Sequence, residues 1–313
     1  MLRFVLKRLL LAIPTLWAVL TTVFVLVRVV PGDPTIAILG DQASEAARAE
    51  LREKLGLGKP ILMQYVDFMG QILHGDLGRS LSTNRPITTD VLAVLPYTIE
   101  LTLAALVVGT VLGVPLGVLA AMNRNGFADW FARIFSLAGV SFPAFVSGIL
   151  LLIAFAVELR WFPVISIAKE GDFWGRLNAL VLPSLNLGLL MVAYVTRVTR
   201  SGMLKALGED YIRTARAKGL PYRTVVWRHA FRNVLVPIVT VVGLYLGVLI
   251  GNAVLTEIVF NRPGIGKLIV TALNQRDYSL LQGLMVVSAF AIVLANILTD
   301  LTYGLVDPRV KTS

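Results

Sequence analysis

Cysteine is absent from the 313 residues, and histidine occurs only at His74 and His229. Without thiolates there is no disulfide, no cysteine-ligated metal and no cysteine nucleophile, and two histidines rarely build a metal centre. Charge is also scarce. Asp, Glu, Lys and Arg make up 15% of the chain, against roughly 25% in soluble domains, which excludes an ordinary soluble enzyme. In their place stand 56% hydrophobic residues and a mean hydropathy of +0.76. A net charge of +10 in so apolar a chain fits basic residues set beside anionic lipid headgroups, not nucleic acid.

The charged residues are distributed so as to leave six long charge-free windows: Leu9–Val27, Leu101–Asn123, Ile134–Val157, Leu177–Thr196, Asn233–Thr256 and Tyr278–Thr299. Each holds 19 to 24 residues, and no other gap exceeds nine. At a rise of ~1.5 Å per residue, each can cross a hydrocarbon core ~30 Å thick. The spacing therefore predicts an all-α integral membrane protein with six transmembrane helices. Arg3, Lys7 and Arg8 precede the first window, as in a signal peptide. Its length, and the lack of a small-residue cleavage site before Pro31, predict an uncleaved span.

Six spans put both termini on one side. The segments on that side carry 16 Lys and Arg, against six in the two short opposite loops 158–176 and 257–277. By the positive-inside rule both termini are expected in the cytoplasm. Residues 28–100, with seven basic and nine acidic residues, form a long external loop whose charge does not set topology.

Two loops have structure of their own. In the external loop, Ser44–Leu55 reads as a short helix stopped by Gly56, and Ile61–Leu73 as an amphipathic helix before Gly75. This loop is either a cap over the external mouth or a docking surface. In the internal loop, Gly208-Glu-Asp-Tyr-Ile-Arg-Thr-Ala-Arg-Ala-Lys-Gly219-Leu-Pro221 reads as a helix of about ten residues. Glu209 and Asp210 sit at its start, while Arg213, Arg216 and Lys218 lie towards its end, as the helix dipole favours. Gly219 can supply a left-handed cap and Pro221 prevents continuation. Ala215 and Ala217 would let another protein approach closely.

No nucleotide or hydrolase motif is complete. The nearest approach to a phosphate-binding loop ends at Gly266-Lys267, with Asn261 in place of the first glycine and Leu268 in place of the hydroxyl residue. Gly139-Val-Ser141-Phe-Pro143 has proline where a nucleophile elbow has its second glycine. Inside the windows lie Pro14, Pro115, Pro143, Pro183 and Pro237, each removing a backbone hydrogen bond. Polar Ser141, Ser147, Asn186, Asn252, Thr256 and Asn296 either join helices or line a path. Ser141, Phe142, Pro143, Asn252, Thr256 and Glu257 are the candidate path residues. Gly109, Gly113 and Gly117 share one helical face and predict close packing.

These residues carry a resemblance. The chain resembles, nearly end to end, the inner-membrane permease subunits of bacterial ABC importers for dipeptides, oligopeptides, glutathione and nickel. It does so at Pro31-Gly-Asp-Pro34, Leu55-Gly-Leu-Gly-Lys-Pro60, Gly75-Asp-Leu-Gly78, Ser141-Phe-Pro-Ala-Phe145, Asp210–Gly219, Arg228-His-Ala-Phe-Arg-Asn233 and Pro263-Gly-Ile-Gly266. The resemblance implies the type I importer fold and makes Glu209, Asp210, Tyr211, Arg213, Thr214, Ala215, Arg216, Ala217, Lys218 and Gly219 the helix that couples to an ATPase. Against the family form Glu-Ala-Ala-x3-Gly, anchored on Gly219, this chain has Arg213, Thr214 and Ala215, and Arg232 where a proline is usual.

The resemblance further implies a second similar permease, two ATPase subunits and an external solute-binding protein. ATP and magnesium would be held by the ATPases, and no cofactor by this chain. The implied division is residues 1–95 (first span and external loop), 96–305 (five-helix transport domain) and 306–313 (tail). The expected activity is import of short peptides across the bacterial inner membrane. A nickel importer, an ATP-independent secondary transporter and a membrane-embedded enzyme are the alternatives; the last lacks a nucleophile–base or metal set within the spans.

Overall fold

The computed structural model describes residues 2–29, 35, 43–54, 58–167 and 171–306. Pro31–Pro34, the Gly56 stop, Leu55 and Leu57, and the tail from 307 onward lie outside the described residues. The described residues are almost wholly helical, in the order α1 (Leu2–Val29), α2 (Glu45–Lys54), α3 (Ile61–Leu73), α4 (Ile87–Met122), α5 (Phe127–Ser141), α6 (Ala144–Leu151), α7 (Phe173–Gly208), α8 (Asp210–Ala217), α9 (Phe231–Val259), α10 (Ile265–Asn274) and α11 (Tyr278–Val306). A π-helical segment, Leu152–Glu158, continues α6, and a second, Val225–Ala230, leads into α9.

Among the described residues, five helical stretches are long and apolar enough to cross a membrane: Leu6–Arg28, Ile87–Met122, Phe173–Gly208, Tyr222–Val259 and Tyr278–Thr302. Each overlaps one of the expected windows, Ile87–Met122 ending one residue before the window's Asn123. The window Ile134–Val157 is different, because it is not one helix. Helix α5 stops at Ser141, and Pro143, extended at φ −59° and ψ 136°, caps the start of α6. The proline ring disfavours helical geometry at Phe142 and supplies no N–H. Pro14, Pro183 and Pro237 remain inside continuous helices.

The chain divides into two compact units. Of the described residues, one comprises 2–10, 99–167, 171–262 and 294–306. Its centre is α7, whose one face meets the glycine face of α4. A Cβ on Gly113 would lie 2.8 Å from the Val195 Cβ, and one on Gly117 would lie 2.7 Å from the Thr196 carbonyl oxygen. The absence of these side chains lets the helix backbones approach, and the Thr196 hydroxyl donates to the Gly113 carbonyl at 3.2 Å. The expected packing role of the glycine repeat is thus observed. Leu101, Ala105, Leu187, Met191, Val195, Leu249 and Ala253 fill the core among α4, α7 and α9.

The other unit comprises, of the described residues, 11–29, 35, 43–54, 58–98 and 263–293. Leu20, Val23 and Phe24 of α1 pack on Phe68 of α3 and Val286 of α11. Arg28 lies 3.9 Å from the Phe24 ring centroid and donates to Gln64 and Gln282, joining the same three helices. The α2 helix starts at Glu45, one residue later than the reading Ser44–Leu55, because Ser44 serves as its cap, its hydroxyl accepting from the Ala47 N–H. Buried Asp277 is a node: it accepts from the Ser80 and Ser82 hydroxyls and from the backbone N–H groups of Leu81, Ser82 and Leu280. Those donors hold its carboxyl below the usual range against the opposing effect of burial.

Candidate functional site

Helix α8 is short but closed at both ends. Asp210 occupies its first turn and Arg216 its last, matching the helix dipole. At the far end, Gly219 adopts φ +76°, a left-handed conformation that glycine enters without a Cβ clash. Its N–H donates to the Arg216 carbonyl, and the Leu220 N–H to the Ala215 carbonyl. This pair of bonds is a Schellman motif. Pro221 then begins the next turn in extended geometry.

The inner face of α8 is anchored by Ile212 and Ala215. Both are buried in a core with Val118, Met203, Val225, Val226, Ala230 and Val234. Full burial of a side chain such as Ile212 contributes roughly 1.5–3 kcal/mol, enough to hold a two-turn helix that would not persist alone. Ala217 is exposed, but Ala215 turns inward, so the approach of another surface is offered at Ala217 alone of these two. Tyr211 is exposed and its hydroxyl accepts from the Asn233 amide at 2.8 Å. Glu209, Arg213, Thr214, Arg216 and Lys218 also face outward. The Arg213–Asp210 pair, both exposed and 3.4 Å apart, adds little to stability. Arg216 lies over the Tyr222 ring at 5.8 Å. The result is a rigid knob with an apolar root and a polar, mainly cationic crown.

A charge cluster that sequence reasoning passed over lies where α5 meets α7. Asp129 is fully buried. Its carboxylate accepts from Nε of Arg200, from Nη2 of Arg200 at 3.0 Å, from Arg133 at 2.8 Å and from the Asn125 N–H at 2.9 Å. The Arg200 guanidinium, more than any other group, holds the Asp129 carboxyl down at about 2, against the opposing effect of burial. Only the i,i+4 spacing of Asp129 and Arg133 was visible in the sequence. At the opposite end of α7, Glu100 accepts from Arg176 and, at 2.7 Å, from Arg262. Arg262 is buried, and burial pulls its guanidinium below the usual value while Glu100 opposes that.

The candidate path residues fall into two groups. Ser141 and Phe142 are exposed at the α5–α6 break, where the Ser141 hydroxyl donates back to the Leu137 carbonyl, and Pro143 caps α6. Asn252 is half-buried, donating to the Val248 carbonyl. Thr256 and Glu257 are fully buried. The Thr256 hydroxyl accepts from the Asn186 amide at 3.2 Å, and the Asn186 carbonyl accepts from the Ser147 hydroxyl at 2.8 Å. This chain of side chains joins α6, α7 and α9. An apolar cavity of about 350 Å³ lies beside it, lined by Phe135, Gly139, Phe142, Ser147, Leu150 and Phe155 among others.

Residues 113–312 match the binding-protein-dependent transport system inner membrane components, and residues 1–102 match the N-terminal part of membrane components of such systems. The di/tripeptide transport system permease protein DppB of Pseudomonas aeruginosa is 39% identical over 333 residues, covering 99% of both chains. The glutathione transport system permease protein GsiC of Pectobacterium atrosepticum is 39% identical over 311 residues, again covering 99% of both. A chain of the MetNI methionine ABC transporter, solved in inward-facing conformations, superposes with a TM-score of 0.56 over 70% of this chain and 96% of its own. Its 16% identity speaks to fold alone.

The fold is that of a helical membrane component of an ABC transporter, a transport part and not a catalytic one. The chain belongs to the family of binding-protein-dependent transport system inner membrane components. It is a multi-pass inner-membrane permease, and such a system includes an ATPase and a binding protein.

Proposed function

We propose that this chain is one of two similar permease subunits in an ATP-driven importer of short peptides, with α8 as the element that receives the ATPase stroke. The observation that carries the reading is the construction of α8: fixed by Ile212 and Ala215 within, stopped at Gly219, and exposed at Tyr211, Arg213, Thr214, Arg216, Ala217 and Lys218. A helix so rooted transmits displacement to α7 and α9 instead of bending. ATP and magnesium belong to two partner ATPase subunits. The similar di/tripeptide and glutathione permeases favour a peptide cargo.

The chain crosses the membrane six times, the broken α5–α6 segment supplying the sixth crossing, with both ends in the cytoplasm. Residues 1–95 form the first span and external loop, and 96–305 the transport domain. The external segments 31–96 and 257–277 meet the solute-binding protein. Ser141, Phe142, Pro143 and Asn252 border the cargo route, with Thr256 and Glu257 behind them as its bracing.

The chain has no cysteine, so a single Ala217→Cys forms a clean crosslinking probe. In the assembled complex it is expected to crosslink to an ATPase subunit. Ala217→Arg is expected to abolish peptide uptake while leaving membrane insertion unchanged. Normal uptake in Ala217→Arg would refute the assignment of α8.

A further inference from the structure

Arg197 and Arg200 are two cations one helical turn apart on α7, with different surroundings. Arg200 is neutralised by buried Asp129. Arg197 is exposed, and among the described residues no carboxylate pairs with it. Its guanidinium lies 5.3 Å from the centroid of the Tyr194 ring, and that ring lies 5.1 Å from the ring of Tyr245 on α9.

The direction in which Arg197 points matters. It closes the charge-free window 177–196, so a residue serving only as an interfacial anchor would extend outward, towards the charged loop. Instead it folds back over Tyr194, one turn into the window, and the Tyr194 ring in turn meets Tyr245, which stands at the middle of the window 233–256. A cation turned into the apolar span faces a protein interior or a water-filled path, since contact with lipid tails there is costly. The exposed side of α7 at Arg197 is therefore a polar surface. Its planar guanidinium presents a fork suited to a carboxylate, and the two tyrosines add phenol hydroxyls and ring faces beside it.

We propose that Arg197, flanked by Tyr194 and Tyr245, is a transient binding station for the carboxylate terminus of the cargo as it passes through the membrane. The proposal rests on the peptide reading above and adds a residue-level basis for preferring free acids. Arg197 binds the cargo and takes no part in ATP hydrolysis.

The test uses the assembled complex in proteoliposomes with its second permease, ATPases and binding protein, and two radiolabelled probes, Ala-Ala and its C-terminal amide. Loading of the binding protein by each probe is measured separately and divided out. Wild type is expected to import the acid faster than the amide. Arg197→Gln is expected to lower acid uptake about tenfold, the scale of one charge-assisted hydrogen bond, and to bring the acid-to-amide ratio near one. Arg197→Lys retains most uptake. Binding-protein-stimulated ATP hydrolysis continues in both variants, a result that a merely structural role would not give.

If Arg197→Gln fails to assemble, the Lys variant carries the comparison through a reduced acid-to-amide ratio. An unchanged ratio in the variants overturns the station while leaving the peptide reading intact. Absence of Ala-Ala uptake by wild type overturns the peptide reading, and the station with it. Equal loss for acid and amide that tracks the phosphatidylglycerol content of the vesicles would assign Arg197 to a lipid headgroup and overturn the proposal.

Discussion

Replacing Asp129 by Asn tests whether the α5–α7 junction is held electrostatically. The carboxylate is fully buried and accepts four hydrogen bonds, three of them from guanidinium groups. Its pKa falls from 3.8 to about 2, and at 1.36 kcal/mol per unit this is worth about 2 kcal/mol at neutral pH. Removing one member of a buried pair costs roughly 3–5 kcal/mol when the other is left without compensation. Arg200 is partly solvated, so Asp129→Asn is expected to cost about 2–4 kcal/mol.

The sign with pH follows from the depressed value. The contribution is fully present above the unfolded value near 3.8 and is lost as pH falls through about 2. Reversible unfolding by SDS titration in mixed micelles measures the loss, and a cycle with Arg200→Gln isolates the pair. A coupling energy below about 0.5 kcal/mol, the level expected of independent sites, would refute the reasoning.

Further outcomes follow from the helix contacts and caps. Gly117→Val places a side chain against the Thr196 carbonyl, and overpacking of this kind costs ~1–3 kcal/mol. Gly251→Ala, with nothing within 4 Å of the added Cβ, is expected to be neutral or to stabilise by up to about 1 kcal/mol; thermal melts of the two variants should separate them. Asp277→Asn removes the ionised acceptor at the Ser80–Ser82 node, so limited proteolysis should cleave the 78–86 segment faster. In the wild type the Asp277 contribution is lost only as pH falls below the usual carboxylate range. Gly219→Ala meets no steric neighbour but keeps φ near +76°, so it is expected to cost about 1–2 kcal/mol, and amide exchange at Arg216–Leu220 should rise.

Local features of this chain were legible without its fold. Charge-free runs mark membrane helices because a charged group in hydrocarbon is costly wherever the rest of the chain goes. The Ile61–Leu73 helix, the Gly219 stop and the glycine face of α4 depend on neighbours within a few residues, and so appear in the sequence directly. Tertiary structure decided what depends on distant partners. Pro143 breaks its window while Pro183 and Pro237 stay within continuous helices, a difference that the local sequence does not mark. Ala215 faces inward because Val225, Val226 and Val234 lie beneath it. Asp129 finds Arg200 across 71 residues, and Asn186 finds Thr256 across 70; no periodicity records such pairings, since only the packing of α7 against its neighbours brings those atoms within bonding distance.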